Sequence, residues 1–229
     1  EEIHTGLKKA VLAGELVPVI VGAAIKGLGA DMLMNTVVEY LPNALDAGSL
    51  KGNPSEPLAA FVFKTIVDPF VGKISLYKVM SGTMKKDTDV YNSDSSESER
   101  IGSVFCLRGK EQIEVSEVSA GDIGATSKLQ NFKTGDTISL KSAPIVYDRI
   151  DFPKPCYFMA ITGKTKDSDE KIGTGLQRLN EEDPTFSMER NIETKELIVG
   201  GQGNIQLDVI ASKLKNNYKV DVDLNAPKV

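Results

Sequence analysis

The sequence has no tryptophan, a single histidine and two cysteines among its 229 residues. The histidine, His4, has no cysteine or serine arrangement pointing to it, which argues against a nucleophilic triad. Cys106 and Cys156 stand far apart and lack the paired spacing of a zinc site or a disulfide framework. We therefore expect two buried free thiols, an exposed histidine and no catalytic or metal site in this chain.

Long apolar runs and dense positive charge are also missing. No stretch approaches about 18 uninterrupted apolar residues, and the N-terminus lacks the layout of a signal peptide, so we expect a cytoplasmic protein. The formal net charge is -5 and the basic residues are scattered. This charge argues against nucleic-acid binding by bulk counterion release, so DNA is not an expected partner and any RNA contact must be local. The acidic, serine-rich run at residues 92–99 predicts a solvated hairpin loop.

What is present is ordinary globular composition, with 41% hydrophobic and 26% charged residues. The length predicts two or three small domains. In residues 1–46, the apolar run within Leu16–Val21 predicts a strand buried in a parallel sheet. Leu33, Val37 and Leu41 then mark the apolar face of a helix packed on that sheet. One strand and two helices cannot close an α/β core, so this segment is expected to be part of a truncated domain.

Residues 47–56 are rich in turn and linker residues, and residues 57–149 form the next segment. There, short runs of β-branched and aromatic residues alternate with turn signals. Such a pattern predicts an antiparallel β-barrel or sandwich. The predicted strands span residues 59–67, 72–80, 89–92, 101–107, 118–129 and 137–140.

Residues 150–229 change character, because strands and helices alternate in the order βαββαβ, the ferredoxin-like split motif. Asp167 and Asn204 are placed to cap the two helices. The predicted strands span residues 156–162, 185–190, 195–199 and 220–224. The complete prediction is a multidomain α+β chain.

Gly163-Lys164-Thr165 sits between a strand and a helix, as a phosphate-binding loop would. Such a loop also needs a glycine five positions earlier, where this sequence has Phe158 within an apolar strand. The guanine-nucleotide elements Asp-x-x-Gly and Asn-Lys-x-Asp are absent from the sequence. The carboxylates Glu181-Glu182-Asp183 lie where a helix ends, the usual place for solvated charge. This chain alone is therefore not expected to bind a nucleotide triphosphate or catalyse a reaction.

Taken together, the three segments resemble elongation factor G. Residues 21–26, Val-Gly-Ala-Ala-Ile-Lys, are similar to the last guanine-specificity element of translational GTPases, and Leu41-Pro42-Asn43 closes the following helix at the family's spacing. Ala23 stands where the family usually has serine. The resemblance implies a GTPase-domain remnant in which Ala23, Ala24 and Lys26 belong to the guanine site.

Residues 57–65 and 68–73 are a close match to the barrel that forms the second domain of the family. Family members use this barrel to dock on small-subunit ribosomal RNA and to brace the GTPase domain. The resemblance implies an interface that includes Lys64, Asp68, Phe70 and Lys73. The alternative, that these are ordinary strand and turn residues, stays open.

Residues 181–186 and 200–208 resemble segments of the family's domain three. In the family these flank a face that meets the GTPase domain and a small-subunit protein and contributes to the fusidic acid pocket. Most members carry Gly-Met-Gly-Glu-Leu-His-Leu, so Gln202, Asn204 and Gln206 replace methionine, glutamate and histidine. The resemblance assigns all three to this interface, and the replacements suggest a divergent paralogue.

The resemblance implies part of a ribosome-binding GTPase that translocates tRNA and mRNA, and a monomer is the default expectation. GTP or GDP with Mg²⁺ is expected for the full-length parent and no cofactor for this chain. Two alternatives stay open, a ribosomal-protection factor of the tetracycline-resistance type and a stand-alone RNA-binding or interaction module. Residues 150–155, with two prolines, are expected to limit movement between barrel and third domain without abolishing it.

Overall fold

The computed structural model describes residues 2–43, 55–68, 71–164 and 168–228. Most of the predicted linker at residues 47–56 lies outside this range, as do Phe70 and the predicted cap Asp167. Within the described residues the fold is mixed α+β, with an N-terminal helical segment, a large antiparallel sheet and a smaller four-stranded sheet.

The N-terminal segment consists of α1 (Glu2–Leu12), a short 3-10 helix (Ala24–Lys26) and α2 (Ala30–Tyr40). The two α-helices lie side by side, where His4 of α1 is exposed and stacks on Tyr40 of α2 with ring centroids 5.9 Å apart. His4 Nδ1 also shares a hydrogen bond with the Tyr40 hydroxyl. Neither helix contains a buried residue, so this segment has no core of its own.

The strand predicted at Leu16–Val21 is wrong. These residues form no strand, and the side chains of Val19 and Val21 are 89% and 86% exposed. A strand needs a neighbour that receives its N–H and C=O groups, and no strand of the described chain lies beside this run. The apolar face predicted for α2 is likewise uncovered, because Leu33 remains 52% exposed.

The described part of the barrel segment contains ten strands, all paired antiparallel. Their bounds are β1 (Ala59–Asp68), β2 (Gly72–Ser81), β3 (Thr83–Lys85), β4 (Asp89–Asn92), β5 (Glu97–Arg100), β6 (Phe105–Arg108), β7 (Glu111–Glu114), β8 (Glu117–Ser119), β9 (Ile123–Ser127) and β10 (Thr137–Ser139). Eight form one sheet in the order β5-β4-β10-β1-β2-β9-β6-β7, and β3 pairs separately with β8.

A main apolar core joins β1, β2, β3, β4, β8 and β10 into a barrel-like body, and a smaller cluster of Ile74, Phe105 and Ala125 joins β2, β6 and β9. Val62 of β1, Tyr77 of β2 and Ile138 of β10 are buried in the main core, together with Met84 of β3 and Val118 of β8. Burying a side chain of this size contributes about 1.5–3 kcal/mol. The separate β3–β8 pair is therefore held to the main sheet by the core that it shares with it.

The third segment has the predicted βαββαβ order, and this prediction is confirmed. The bounds are β11 (Tyr157–Gly163), α3 (Asp169–Glu182), β12 (Ser187–Arg190), β13 (Leu197–Gly201), α4 (Asn204–Tyr218) and β14 (Val222–Asn225). The four described strands form an antiparallel sheet in the order β12-β13-β11-β14, the ferredoxin-like arrangement.

The helices α3 and α4 pack together beside this sheet. Their buried apolar residues recur at helical spacing, for example Ile172 and Leu176 on α3 and Leu207 and Leu214 on α4. Gly175 allows a close approach, because a Cβ there would lie 2.7 Å from Leu214 Cδ2. A small residue on α3 thus sets the distance between the two helices.

Asn204 does not cap α4, contrary to the prediction. It is the first helical residue, and Gly203 occupies the cap position without a side-chain bond. Gln206, three residues after Gly203, instead accepts a hydrogen bond from the N–H of Gln202 at 2.7 Å. The contact from the Gln206 side chain back to the main chain before the helix resembles one half of a capping box. Gln206 rather than Asn204 therefore fixes the start of α4.

Candidate functional site

A cleft of about 470 Å³ lies between the barrel and the ferredoxin-like domain. It is bounded by β2 and the loop before β10 on the barrel, and by the last turns of α3. The linker between β10 and β11, residues 140–156, also borders it. The charged and polar side chains that line it include Lys73, Lys133, Arg149, Asn180 and Glu181. The cleft therefore gathers groups from both domains and from the linker.

Lys73 is the predicted interface residue that reaches this cleft. Its side chain is only 10% exposed, and its ammonium donates to the Phe132 carbonyl at 2.7 Å. The Glu181 carboxylate of α3 lies 3.8 Å from the same Nζ atom. Burial lowers the pKa of Lys73 below its ordinary value of 10.5, and the facing Glu181 opposes this shift. Lys73 thus joins the two domains as a cation that has lost most of its hydration.

The linker is tied to the barrel by Arg149. Its guanidinium lies 2.7 Å from Asp136 Oδ1 and 3.3 Å from Asp94 Oδ2. Asp136 is 4% exposed and also accepts hydrogen bonds from the Lys133 N–H and from Asn92 Nδ2, each at 2.9 Å. A buried carboxylate needs such partners, so Arg149 completes a network that begins inside the barrel.

Gln202 and Gln206 form a second polar cluster, on the ferredoxin-like domain. The side-chain amide of Gln202 donates to the carbonyls of Pro153 and Lys154 at 3.2 and 3.0 Å. That of Gln206 donates to Asp183 Oδ2 at 3.0 Å and to Thr185 Oγ1 at 2.7 Å. The two glutamines therefore link the start of α4 to the linker and to the loop that follows α3.

Asp183 is the charged group of this cluster. Burial alone would raise its pKa, but hydrogen bonds from the N–H and hydroxyl of Thr185 and from Gln206, with the nearby Lys213, hold the pKa below its ordinary value. Lys213 itself pairs with Glu182 at 3.2 Å. Asp183 is therefore a stable carboxylate acceptor at neutral pH and unsuited to the role of a general acid.

The barrel and the ferredoxin-like domain each match a known protein family. Residues 57–141 match the family model described as elongation factor G domain 2, and residues 152–226 match the one described as Elongation Factor G, domain III. The chain belongs to the elongation factor G family. Both matches confirm the resemblance to elongation factor G that the sequence indicates.

A solved structure supports this assignment over nearly the whole chain. A crystal structure of a protein from Thermus thermophilus aligns with a TM-score of 0.84 and 27% sequence identity, over 99% of this chain. The chain spans about a third of that protein, 34% of its length. The N-terminal segment, which neither family model covers, is therefore included in the structural match.

The predicted guanine-site residues of this elongation factor G family member lie in a closed loop. The main chains of Ala23 and Leu28 exchange hydrogen bonds of 3.0 and 3.2 Å. Gly22 and Gly29 allow the crossing, because a Cβ on Gly22 would lie 2.7 Å from the Leu28 carbonyl oxygen. The loop holds Ala24 and Lys26 exposed in the 3-10 helix, which contains no buried residue.

The other predicted barrel residues are not gathered with Lys73 in the cleft. Lys64 lies exposed on β1, and Asp68 at the end of that strand accepts a 2.8 Å hydrogen bond from the N–H of Val71. Phe70 lies outside the described residues. Asn204 is exposed at the start of α4, beside Gln202 and Gln206. The predicted set thus divides between separate surfaces of the family member.

The sequence did not identify Arg149, Asp136 or Glu181 as members of these networks. Arg149 adjoins the predicted segment boundary at residue 150, but the sequence does not show that its guanidinium reaches Asp136 and Asp94. Cys156 is exposed rather than buried, and its Sγ contacts the Gln202 carbonyl at 3.4 Å; Cys106 is half-buried. Within the described residues no cluster of acidic, histidine or cysteine side chains could hold a metal, and no helix is long and apolar enough to cross a membrane.

Proposed function

We propose that this chain is part of a ribosome-binding translational GTPase that promotes GTP-dependent translocation of tRNA and mRNA during elongation. The observation that carries the proposal is the presence of elongation factor G domains II and III in one chain and in that order. The alignment of 99% of the chain with one solved protein supports it. The longer protein is the proposed enzyme, and these domains are its docking and transmission parts.

GTP or GDP with Mg²⁺ is the nucleotide proposed for the longer protein, where hydrolysis of the terminal phosphate would supply the free energy. From this chain, the loop of Ala23, Ala24 and Lys26 would contribute to the guanine site. The small side chains of the two alanines leave the main chain open to a planar base, which fits that role. No phosphate-binding role is proposed for the chain, because Phe158 stands where a phosphate-binding loop that ends at Gly163-Lys164 would need its first glycine.

The ribosome is the proposed partner, and the cytoplasm the proposed location. Lys64 is exposed on a barrel strand, where an ammonium can reach a phosphate of small-subunit ribosomal RNA. Gln202 and Asn204 are exposed at the start of α4, where they would meet a small-subunit protein or the GTPase domain. A few local contacts of this kind are compatible with the net charge of -5.

Sedimentation of the chain with purified bacterial ribosomes tests this proposal. We expect saturable binding that weakens with rising salt and is reduced several-fold by Lys64→Glu. Lys110→Glu is the matched control, because Lys110 is an exposed lysine at the turn between β6 and β7. Absence of ribosome binding at high chain concentration, or an equal loss in both variants, would contradict the proposed barrel interface.

A further inference from the structure

The linker between the barrel and the ferredoxin-like domain is attached to the barrel up to residue 149. Arg149 contacts the carboxylates of Asp136 and Asp94, and the N–H of Tyr147 donates to Thr137 Oγ1 at 2.9 Å. Asp136 precedes β10 and Thr137 is its first residue. The chain up to this point is therefore fixed to the barrel.

From residue 153 the linker is attached to the other domain. Gln202 holds the carbonyls of Pro153 and Lys154, and the N–H of Cys156 donates to the Gly201 carbonyl at 2.9 Å. The ring of Pro153 also restricts its own φ and disfavours a helical conformation at Phe152. Residues 150–152 are the span left between the two attachments.

Among the described residues, one ion pair crosses the joint beside this span. The Lys73 ammonium of the barrel lies under α3, with its side chain 10% exposed, whereas the Glu181 side chain is 37% exposed. The other charges that face Lys73 are Glu99, Lys133 and Asp136, all on the barrel. Glu181 is therefore the carboxylate by which the ferredoxin-like domain acts on this cation.

We propose that the Lys73–Glu181 pair is a latch that holds the ferredoxin-like domain closed on the barrel, with residues 150–152 as the joint between them. In the closed arrangement of the two domains, the Lys73 ammonium is withdrawn from water and the Glu181 carboxylate stays partly hydrated. The two partners therefore contribute unequally to the free energy of closure. A desolvated charge that loses its partner is strongly unfavourable, whereas an apolar group of similar size in its place is tolerated. Closure therefore requires Glu181 when residue 73 is charged, and no longer requires it when residue 73 is apolar. The latch does not rest on the proposed function.

Pulsed electron paramagnetic resonance on the full chain measures whether the two domains separate. Spin labels are placed at Lys110→Cys on the barrel and Glu193→Cys on the loop between β12 and β13, both exposed, after both native cysteines are changed to serine. We expect one narrow distance distribution for the labelled chain. Glu181→Gln should add a longer population and raise the open-to-closed ratio about tenfold or more, the change that about 1.4 kcal/mol produces.

Three further variants distinguish a latch from general packing. Glu182→Gln should leave the distances unchanged, because Glu182 pairs with Lys213 inside its own domain. Lys73→Met should stay closed, and Lys73→Met with Glu181→Gln should return to the closed distribution. The proposal is overturned if Glu181→Gln behaves like Glu182→Gln, or if the double variant is as open as Glu181→Gln alone.

Discussion

The side-chain amide of Gln206 donates to the carboxylate of Asp183 at 3.0 Å, from the start of α4 to the loop after α3. Gln206 also donates to Thr185 and accepts from the N–H of Gln202. A glutamine at this position therefore uses both ends of its amide. Gln206 replaces the histidine that most family members carry, and its amide oxygen and nitrogen are both hydrogen-bonded.

Replacing Gln206 by leucine should destabilise the chain by about 1–3 kcal/mol, because polar groups of Asp183, Thr185 and Gln202 lose a partner. The free energy of unfolding from urea titration measures the effect. Gln112→Leu is the matched control, since Gln112 is exposed on β7, and we expect a change within about 0.5 kcal/mol. Equal effects of the two substitutions would contradict the structural role of Gln206.

Asp183 should make stability depend on pH. Its pKa in the folded chain is lowered below the ordinary value of 3.8, so its contribution is present above that value and is lost as pH falls toward the lowered pKa. Asp183→Asn should cost about 1–2 kcal/mol at neutral pH. The difference from the unsubstituted chain should shrink below about pH 4. A difference that stays constant down to about pH 2.5 would show that ionisation of Asp183 does not stabilise the fold.

Arg149→Met should destabilise the barrel by about 1–3 kcal/mol, because the buried Asp136 carboxylate would lose its cation. Arg108→Met is the control, since Arg108 and Glu111 form an exposed pair with side chains 73% and 62% exposed. Such exposed pairs contribute about 0–1 kcal/mol. Thermal unfolding followed by circular dichroism compares the two, and a larger loss in Arg108→Met would refute this ranking.

Tyr77→Phe should leave stability unchanged or raise it by up to about 1 kcal/mol. The Tyr77 hydroxyl is buried, without a hydrogen-bond partner among the described residues, and burial raises its pKa. Tyr147→Phe is the comparison, because that hydroxyl has Ser81 as a hydrogen-bond partner, and its loss should cost about 0.5–1.5 kcal/mol. A loss above about 1 kcal/mol in Tyr77→Phe would mean that its hydroxyl is hydrogen-bonded.

The strands that the sequence predicts are those rich in β-branched and aromatic residues. Residues 59–67 and 72–80 correspond closely to β1 and β2, whereas the predicted strand at 118–129 divides into β8 and β9. The strands β3, β5 and β7 were missed. Of these, β5 and β7 are short and charged, and they are the two edges of the large sheet. Charged residues protect an exposed edge from further pairing and also remove the apolar pattern by which a strand is recognised.

The candidate site was predictable in part. The family motifs identified Lys73, Gln202 and Gln206, which the structure places in the interdomain and linker contacts. Glu181 was predicted to be solvated charge, because the sequence does not show that α3 ends above the barrel. The strand predicted at Leu16–Val21 failed for a related reason, since its apolar pattern does not reveal whether a neighbouring strand is present.

Competition with an intact bacterial elongation factor G tests the central claim most directly. GTP hydrolysis by the intact factor on ribosomes is measured while the concentration of this chain is raised. If the chain docks as domains II and III of that factor do, hydrolysis should fall in a saturable way and recover when more intact factor is added. Ribosome binding by the chain with no effect on hydrolysis at any concentration would contradict a shared site, and with it the proposed function.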